Sequence, residues 1–252
     1  MKIQLIRNAT MKLTYAGQTI LTDPMLSPKD AYDPFAGVAR NPTVELPHTL
    51  EQILDSVDGV LVSHVHPDHF DSVASAALPK TIPVLCQPDD EQRITEEGFR
   101  TVIPIETNSV WNGITISRTG GQHGSGKILE HMGNVSGFVL QADGEPTVYW
   151  VGDSIWCAHV EKAIKTFQPE IVIIHSGGAT IPGYDPIIMD IDQALETANA
   201  CPEAIIVAIH VEALDHCPIS RADLRERADR ELKRPSRLLI PEDGEVISLR
   251  GY

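Results

Sequence analysis

No apolar run in the chain reaches the roughly 18 residues that span a bilayer as a helix, so no membrane partner is expected. The first residues, Met1-Lys2-Ile3-Gln4-Leu5-Ile6-Arg7, lack the long apolar segment and small-residue cleavage site of a secretory signal. The four cysteines (Cys86, Cys157, Cys201, Cys217) show no paired spacing, which argues against a disulfide framework and for a thiol-keeping cytoplasmic setting. Positive charge is scarce as well: 20 Lys and Arg stand against 35 Asp and Glu, a net charge of −15. The one basic cluster, Arg221 to Arg237, is interleaved with Asp223, Glu226, Asp229 and Glu231. That pattern suits a salt-bridged, solvated helix face rather than a groove for nucleic acid. No repeat of 20–50 residues and no linker-like shift of composition divides the chain.

What is present is enough apolar residue, 42% of 252, to build a sizeable core, and one domain spanning residues 1–252 is expected. The first segment alternates as three strands, Ile3 to Ile6, Lys12 to Tyr15 and Thr19 to Thr22, with a hairpin turn at Ala16-Gly17-Gln18. Ser27 to Pro47, with four prolines, is an ordered loop able to overhang a site. Thr49 to Val57 is a helix carrying a capping box, with Thr49 as N-cap and Gln52 three residues on. A buried strand, Gly59 to Val62, leads to a helix over Asp68 to Leu78. Further strands are expected near Pro83, Thr101, Ile114, Ser136, Val148, Ile171 and Ala204, and short ones at Leu238 and Val246. Helices are expected from Asp89 to Gly98 and over Ala158–Phe167, Ile191–Ala200 and Arg221–Leu232. Each half starts antiparallel and moves into strand–helix alternation. Two such halves packed sheet to sheet, with helices outside, predict a four-layer α/β/β/α sandwich.

The chain is organised around Ser63-His64-Val65-His66-Pro67-Asp68-His69, directly after the buried strand. If the backbone stays extended, His64 and His66 face one side, because strand side chains repeat every second residue. Pro67 stops the strand, and Asp68 and His69 then turn to a neighbouring point. Imidazole and carboxylate are the usual ligands of hydrolytic zinc, and this layout suits two metals. His123, Asp153 and His210 each follow an apolar strand at its carboxyl end, the edge where α/β sheets place their sites, which makes one shared cluster the expectation.

The pattern His-x-His-x-Asp-His, with Asp23, His123, Asp153 and His210 around it, resembles the metallo-β-lactamase fold superfamily over nearly the whole chain. The resemblance implies one metal on His64, His66 and His123 and a second on Asp68, His69 and His210. Asp153 would bridge the two, and Asp23 would support the motif by hydrogen bonding without being a ligand. The surroundings Thr22-Asp23-Pro24 and Gly152-Asp153-Ser154 are most similar to the branch that includes ascorbate-6-phosphate lactonase. Asn8 stands where relatives often carry a histidine, so a substrate role for the first loop is not carried over.

The expected cofactors are two divalent ions, zinc first, with manganese or iron as alternatives. Ions roughly 3.5–4 Å apart can share a water and lower its pKa towards 7, giving a metal-bound hydroxide as nucleophile. Asp68 would orient it or pass a proton. The expected substrate is a small ester, lactone or phosphoester, and a homo-oligomer is allowed. His216 is a candidate for donating a proton to a leaving group and, with His175, for contacting substrate. His48 and His159 are expected at the surface, His131 is left open, and Trp156 is expected in the core. Gly121 to Lys127 mimics the start of a phosphate loop, but Ile128 stands where a hydroxyl should hold Mg²⁺. Rival readings are a nuclease or phosphodiesterase of the same fold, a diiron redox protein, and a metal-binding protein without catalysis.

Overall fold

The computed structural model of the chain describes residues 1–249. The first sheet opens with an antiparallel meander of β1 (Lys2–Arg7), β2 (Thr10–Tyr15) and β3 (Gln18–Thr22). Ala16 (φ 48°) and Gly17 (φ 76°) join β2 to β3 in the left-handed two-residue turn that matches strand twist. The sheet then becomes parallel. Helix α1 (Leu50–Leu54) leads to β4 (Gly59–Val62), α2 (Ser72–Ala77) to β5 (Pro83–Cys86), and α3 (Glu91–Glu96) to β6 (Thr101–Pro104).

The second sheet repeats the plan. Strands β7 (Asn108–Trp111) and β8 (Ile114–Gly120) form a hairpin; the short helix α4 (Leu129–Met132) follows, then antiparallel β9 (Ser136–Gln141) and β10 (Val148–Trp150). Parallel crossovers come next: α5 (Ala158–Phe167) to β11 (Ile171–His175), α6 (Ile191–Ala200) to β12 (Ile205–Ile209), and α7 (Arg221–Glu231) to β13 (Leu238–Leu239). Strand β14 (Val246–Ser248) returns to pair with β1. The orders are β14-β1-β2-β3-β4-β5-β6 and β13-β12-β11-β10-β9-β8-β7.

Period-two alternation assigns the faces. Leu13, Ile20, Leu61 and Leu85 of the first sheet meet Ile116, Phe138, Trp150, Ile173 and Val207 of the second in one core cluster. Val60, Val62 and Val84 point the other way, onto Ile53, Ala74 and Ile94 of α1–α3. On the far side, Val139, Val172 and Ile174 pack on Val160, Leu195 and Leu224 of α5–α7. Strands buried on both faces read as continuous apolar runs, which is why β4, β11 and β12 stood out in the sequence. The result is the expected four-layer α/β/β/α sandwich. Among the described residues no helix is long and apolar enough to cross a membrane.

Local expectations differ in three places. Helix α2 starts at Ser72, four residues after Asp68, because Asp71 is the N-cap and accepts from Ala74 N–H at 2.7 Å. Asp68 to Phe70 instead form a tight turn, in which the His69 and Phe70 N–H groups both donate to the His66 carbonyl at 2.9 Å. Helix α1 carries its capping box but stops at Leu54; Ser56 turns left-handed (φ 58°) and Asp58 is held to Thr19 by two hydrogen bonds. Strand β7 was not expected at all, although Asn112 (φ 48°) and Gly113 (φ 82°) are the strongest hairpin signal a sequence offers.

The segment from Ser27 to Pro47 contains no helix or strand, only an isolated bridge between Tyr32 and Asn41. One carboxylate gathers it. Asp215 accepts hydrogen bonds from the backbone N–H groups of Phe35, Ala36, Val38 and Ala39 and from Asn41 Nδ2. Burial would raise the Asp215 carboxyl, but these donors outweigh it and hold the group below its ordinary value. Tyr32 and Phe35 thereby pack on an apolar cluster of Met25, Ile128, Ile187 and Leu214.

Candidate metal centre

The carboxyl ends of β3, β4, β8, β10, β11 and β12 all open on one edge of the sandwich. Two of the side chains placed there ride on left-handed backbone one residue past a strand: Asp23 (φ 38°) after β3 and His210 (φ 58°) after β12. That conformation is uncommon for residues with a Cβ and concentrates at functional sites. The Asn8 carbonyl accepts from the His210 N–H at 3.0 Å, and Asn8 Nδ2 donates to the Asp68 carbonyl at 3.0 Å. Asn8 is thus a backbone support between two arms of the site.

His64, His66 and His123 converge, with one ring nitrogen of each within 4.8 Å of the others. A second group joins His69, Asp153, His175 and His210 under the same limit. Asp68 belongs beside it, with Oδ2 3.5 Å from His69 Nε2 and 3.4 Å from His210 Nε2. Asp153 lies between the groups. Its Oδ2 is 3.1 Å from His69 Nε2 and 3.5 Å from His123 Nε2, while Oδ1 is 3.8 Å from His210 Nε2. Side chains from positions 64 to 210 therefore share one pocket edge.

The nitrogens facing away from the centre are engaged, which fixes how the rings present themselves. His123 Nδ1 donates to the Ile187 carbonyl at 2.9 Å. His69 Nδ1 donates to Asp23 Oδ2 at 2.6 Å. Ser63 Oγ also donates to Asp23 Oδ2, at 2.6 Å, and so accepts from His64 Nδ1 at 3.0 Å. One buried aspartate thereby orients a histidine of each group. His210 Nδ1 lies 3.4 Å from Cys217 Sγ.

Electrostatics describe a centre made for cations. Asp68 and Asp153 are buried, and among the described residues no lysine or arginine pairs with either. Burial pushes both carboxyls up, yet His69 and its neighbours pull them well below the ordinary range. His69 is desolvated too, but Asp153, Asp68 and Asp23 hold its proton well above the usual value. His64 goes the opposite way, forced down by burial and by His69. His123 falls to about 4 for the first of these reasons. His210 Nε2 is buried with no hydrogen-bond partner. Clustered buried imidazoles, carboxylates with no lysine or arginine beside them and an orphaned ring nitrogen at one point are the donor set a divalent cation satisfies.

His216 is buried, its Nδ1 has no hydrogen-bond partner, and its ring is 6.3 Å from that of His210. The Phe35 ring meets it edge-on at 5.2 Å, so the segment gathered by Asp215 reaches the site. Burial lowers the His216 ring below its ordinary value. His175 requires a correction. Expected as a substrate contact, it is fully buried with both ring nitrogens hydrogen-bonded, to Trp150 and to Asp153, and has no face to offer a substrate. Its strand-end position is the same as that of the other candidates, so position alone could not separate them. His131 and His159 are exposed, His48 is half-buried, and Trp156 packs against the α5–α7 core. Ser63, Trp150 and Cys217 were missed. Ser63 directly precedes the motif and could have been read with it, whereas the other two become neighbours only through strand register and loop path.

Comparison with known proteins agrees with this picture. The family model described as Beta-lactamase superfamily domain matches residues 18–211. UPF0173 protein YddR of Bacillus subtilis is 38% identical over 251 residues, covering 97% of this chain and 98% of that protein. A crystal structure described as a possible metal-dependent hydrolase from Veillonella parvula superposes with a TM-score of 0.94 at 38% identity, covering 99% of both chains. An isothiocyanate hydrolase from Delia radicum gut bacteria superposes with a TM-score of 0.93 at 37% identity, again covering 99% of both.

Proposed function

The chain belongs to the β-lactamase superfamily and is a metal-dependent hydrolase, and on that premise we propose that it cleaves a small ester, lactone or phosphoester at a pair of divalent ions. The observation that carries this reading is the position of Asp153, with one carboxylate oxygen towards His69 and His123 and the other towards His210. His64, His66 and His123 would hold one ion; Asp68, His69 and His210 the other. Such a pair, when bound, acidifies water and polarises the oxygen of the substrate. Zinc fits the imidazole-rich first set, and manganese or iron is the alternative.

The chain's own groups do the rest. Asp68 stands where it can orient the attacking water and accept its proton. His216, its Nδ1 unpartnered beside the second set, passes a proton to the leaving group. Asp23 keeps His69 and, through Ser63, His64 in their tautomers. Phe35 on the gathered segment excludes water from one flank. The partner is a small molecule, without nucleic acid or membrane, and the chain works as one domain in the cytoplasm.

A second reading of the substrate is an isothiocyanate, whose central carbon is also an electrophile; the similarity to the isothiocyanate hydrolase favours it. Turnover of lactone, ester, phosphodiester and isothiocyanate panels, measured with zinc and with manganese, separates the readings. Activity on at least one class, abolished by chelation and restored by the ion, is the expected result; protein purified without chelators that holds no divalent ion would sink it.

His216 has its own test. In His216→Asn, kcat falls roughly 10²-fold on substrates with a poor leaving group and much less on activated ones, with metal content unchanged. Equal losses on both kinds of substrate would remove His216 from the proton path.

A further inference from the structure

His175 ends β11 beneath the second ligand group, its ring stacked 5.7 Å from that of His69 and tilted at 5.2 Å from that of His210. By distance alone it could be a metal ligand with Asp153, His69 and His210. Hydrogen-bond chemistry excludes that. Trp150 Nε1 lies 3.0 Å from His175 Nε2, and an indole N–H can only donate. Nε2 is therefore an acceptor, and the ring's proton sits on Nδ1, 2.5 Å from Asp153 Oδ1. Neither nitrogen of His175 has a lone pair free for an ion.

We propose that Trp150 and His175 form a relay that fixes the carboxylate of Asp153, making His175 a positioning residue of the metal centre and not a ligand. The proposal rests on the metal reading above and deepens it. An aspartate serving two ligand groups must not rotate, because rotation would turn both oxygens to one side. The relay supplies the restraint from below: Trp150, 1% exposed in the core between the sheets, sets the tautomer of His175, and His175 pins Oδ1. Oδ2 is left towards His69 and His123. The β10–β11 pairing places the parts, since Trp150 lies opposite Ile173 and His175 is on the same face two residues on.

The test uses the full chain and zinc alone, with affinity read by chelator competition and geometry by the visible spectrum of the cobalt form. His175→Leu keeps an apolar filling but removes the donor, and affinity should fall 10–100-fold, the range for lost outer supports of a metal site. His175→Asn keeps a donor at the Nδ1 position and should recover affinity to within about fivefold of the parent, with the parent's cobalt bands. Trp150→Phe frees the tautomer while keeping the aromatic core, and should fall between the two; it carries the test if His175→Leu does not fold. The relay is overturned if His175→Leu or Trp150→Phe binds zinc as tightly as the parent, or if His175→Asn loses as much as His175→Leu. A parent chain that binds no zinc overturns the underlying metal reading instead, and the parent alone reveals it.

Discussion

Asp68→Ala is expected to lower kcat/KM by at least about 10³-fold, some 4 kcal/mol of transition-state stabilisation, while the fold survives. The side chain is asked to do two things: complete the second ligand group, with Oδ2 near both His69 and His210, and handle the proton of the attacking water. Stability should respond as well. Asp68 is buried without a lysine or arginine beside it, and in metal-free protein its carboxylate is held by the His69 and His210 rings, both raised above their ordinary value, whose Nε2 atoms lie 3.5 and 3.4 Å away. Its removal leaves the contact from Asn8 intact, because that contact is to the backbone carbonyl. Metal-free Asp68→Ala should therefore melt below the parent at neutral pH, because a carboxylate favoured by the folded state is lost, and the metal-dependent increment in melting should shrink. Kinetics and calorimetry with and without chelator check both halves. Retention of more than a tenth of parental turnover would remove Asp68 from the chemistry.

The second large effect is expected at Gly152, just before Asp153. Its φ is +70°, and a Cβ there would lie 2.6 Å from the Ser136 carbonyl oxygen and 3.5 Å from Ser63 Cβ. Gly152→Ala combines a left-handed alanine, about 1 kcal/mol or more, with overpacking against backbone, about 1–3 kcal/mol. For a chain of this length the melting temperature should drop by roughly 5–15 °C. Relief of the clash displaces either Ser136 on β9 or the turn bearing Asp153, so zinc affinity should fall along with stability. A variant melting within 2 °C of the parent, with parental affinity, would show that the close approach imposes no constraint.

How far these features could be read from the sequence depends on their range. The period-two and 3.6-residue patterns gave both halves of the sandwich, and α5 and α6 begin and end where periodicity puts them. The capping box at Thr49 and Gln52 is local and was visible, as was the histidine motif. The site candidates were visible because they are polar residues interrupting the ends of apolar strands. Their division of labour was not. His175 and Asp153 occupy equivalent strand ends, and only the indole behind His175 distinguishes a buried support from a group facing the centre. Asp23 reaches Ser63 because β3 and β4 run parallel, with Thr22 opposite Leu61, a register no composition encodes. The start of α2 was misplaced because Asp68 and Asp71 are equally good caps by type, and the turn at His66 chose the later one.

The tether at Asp215 recognises almost nothing but main chain: of the groups it gathers from 35–41, all but the Asn41 amide are peptide N–H. Side chains along that stretch can therefore be exchanged while the path of the chain is kept, provided Asn41, the aspartate, the left-handed Gly37 (φ 77°) and an apolar residue in place of Phe35 remain. The wall beside His216 behaves like an interchangeable faceplate on a fixed mount. On the proposed reading, chemistry and selectivity are thus separable by mutation, and libraries aimed at new substrates belong in residues 32–39, away from the histidine cluster.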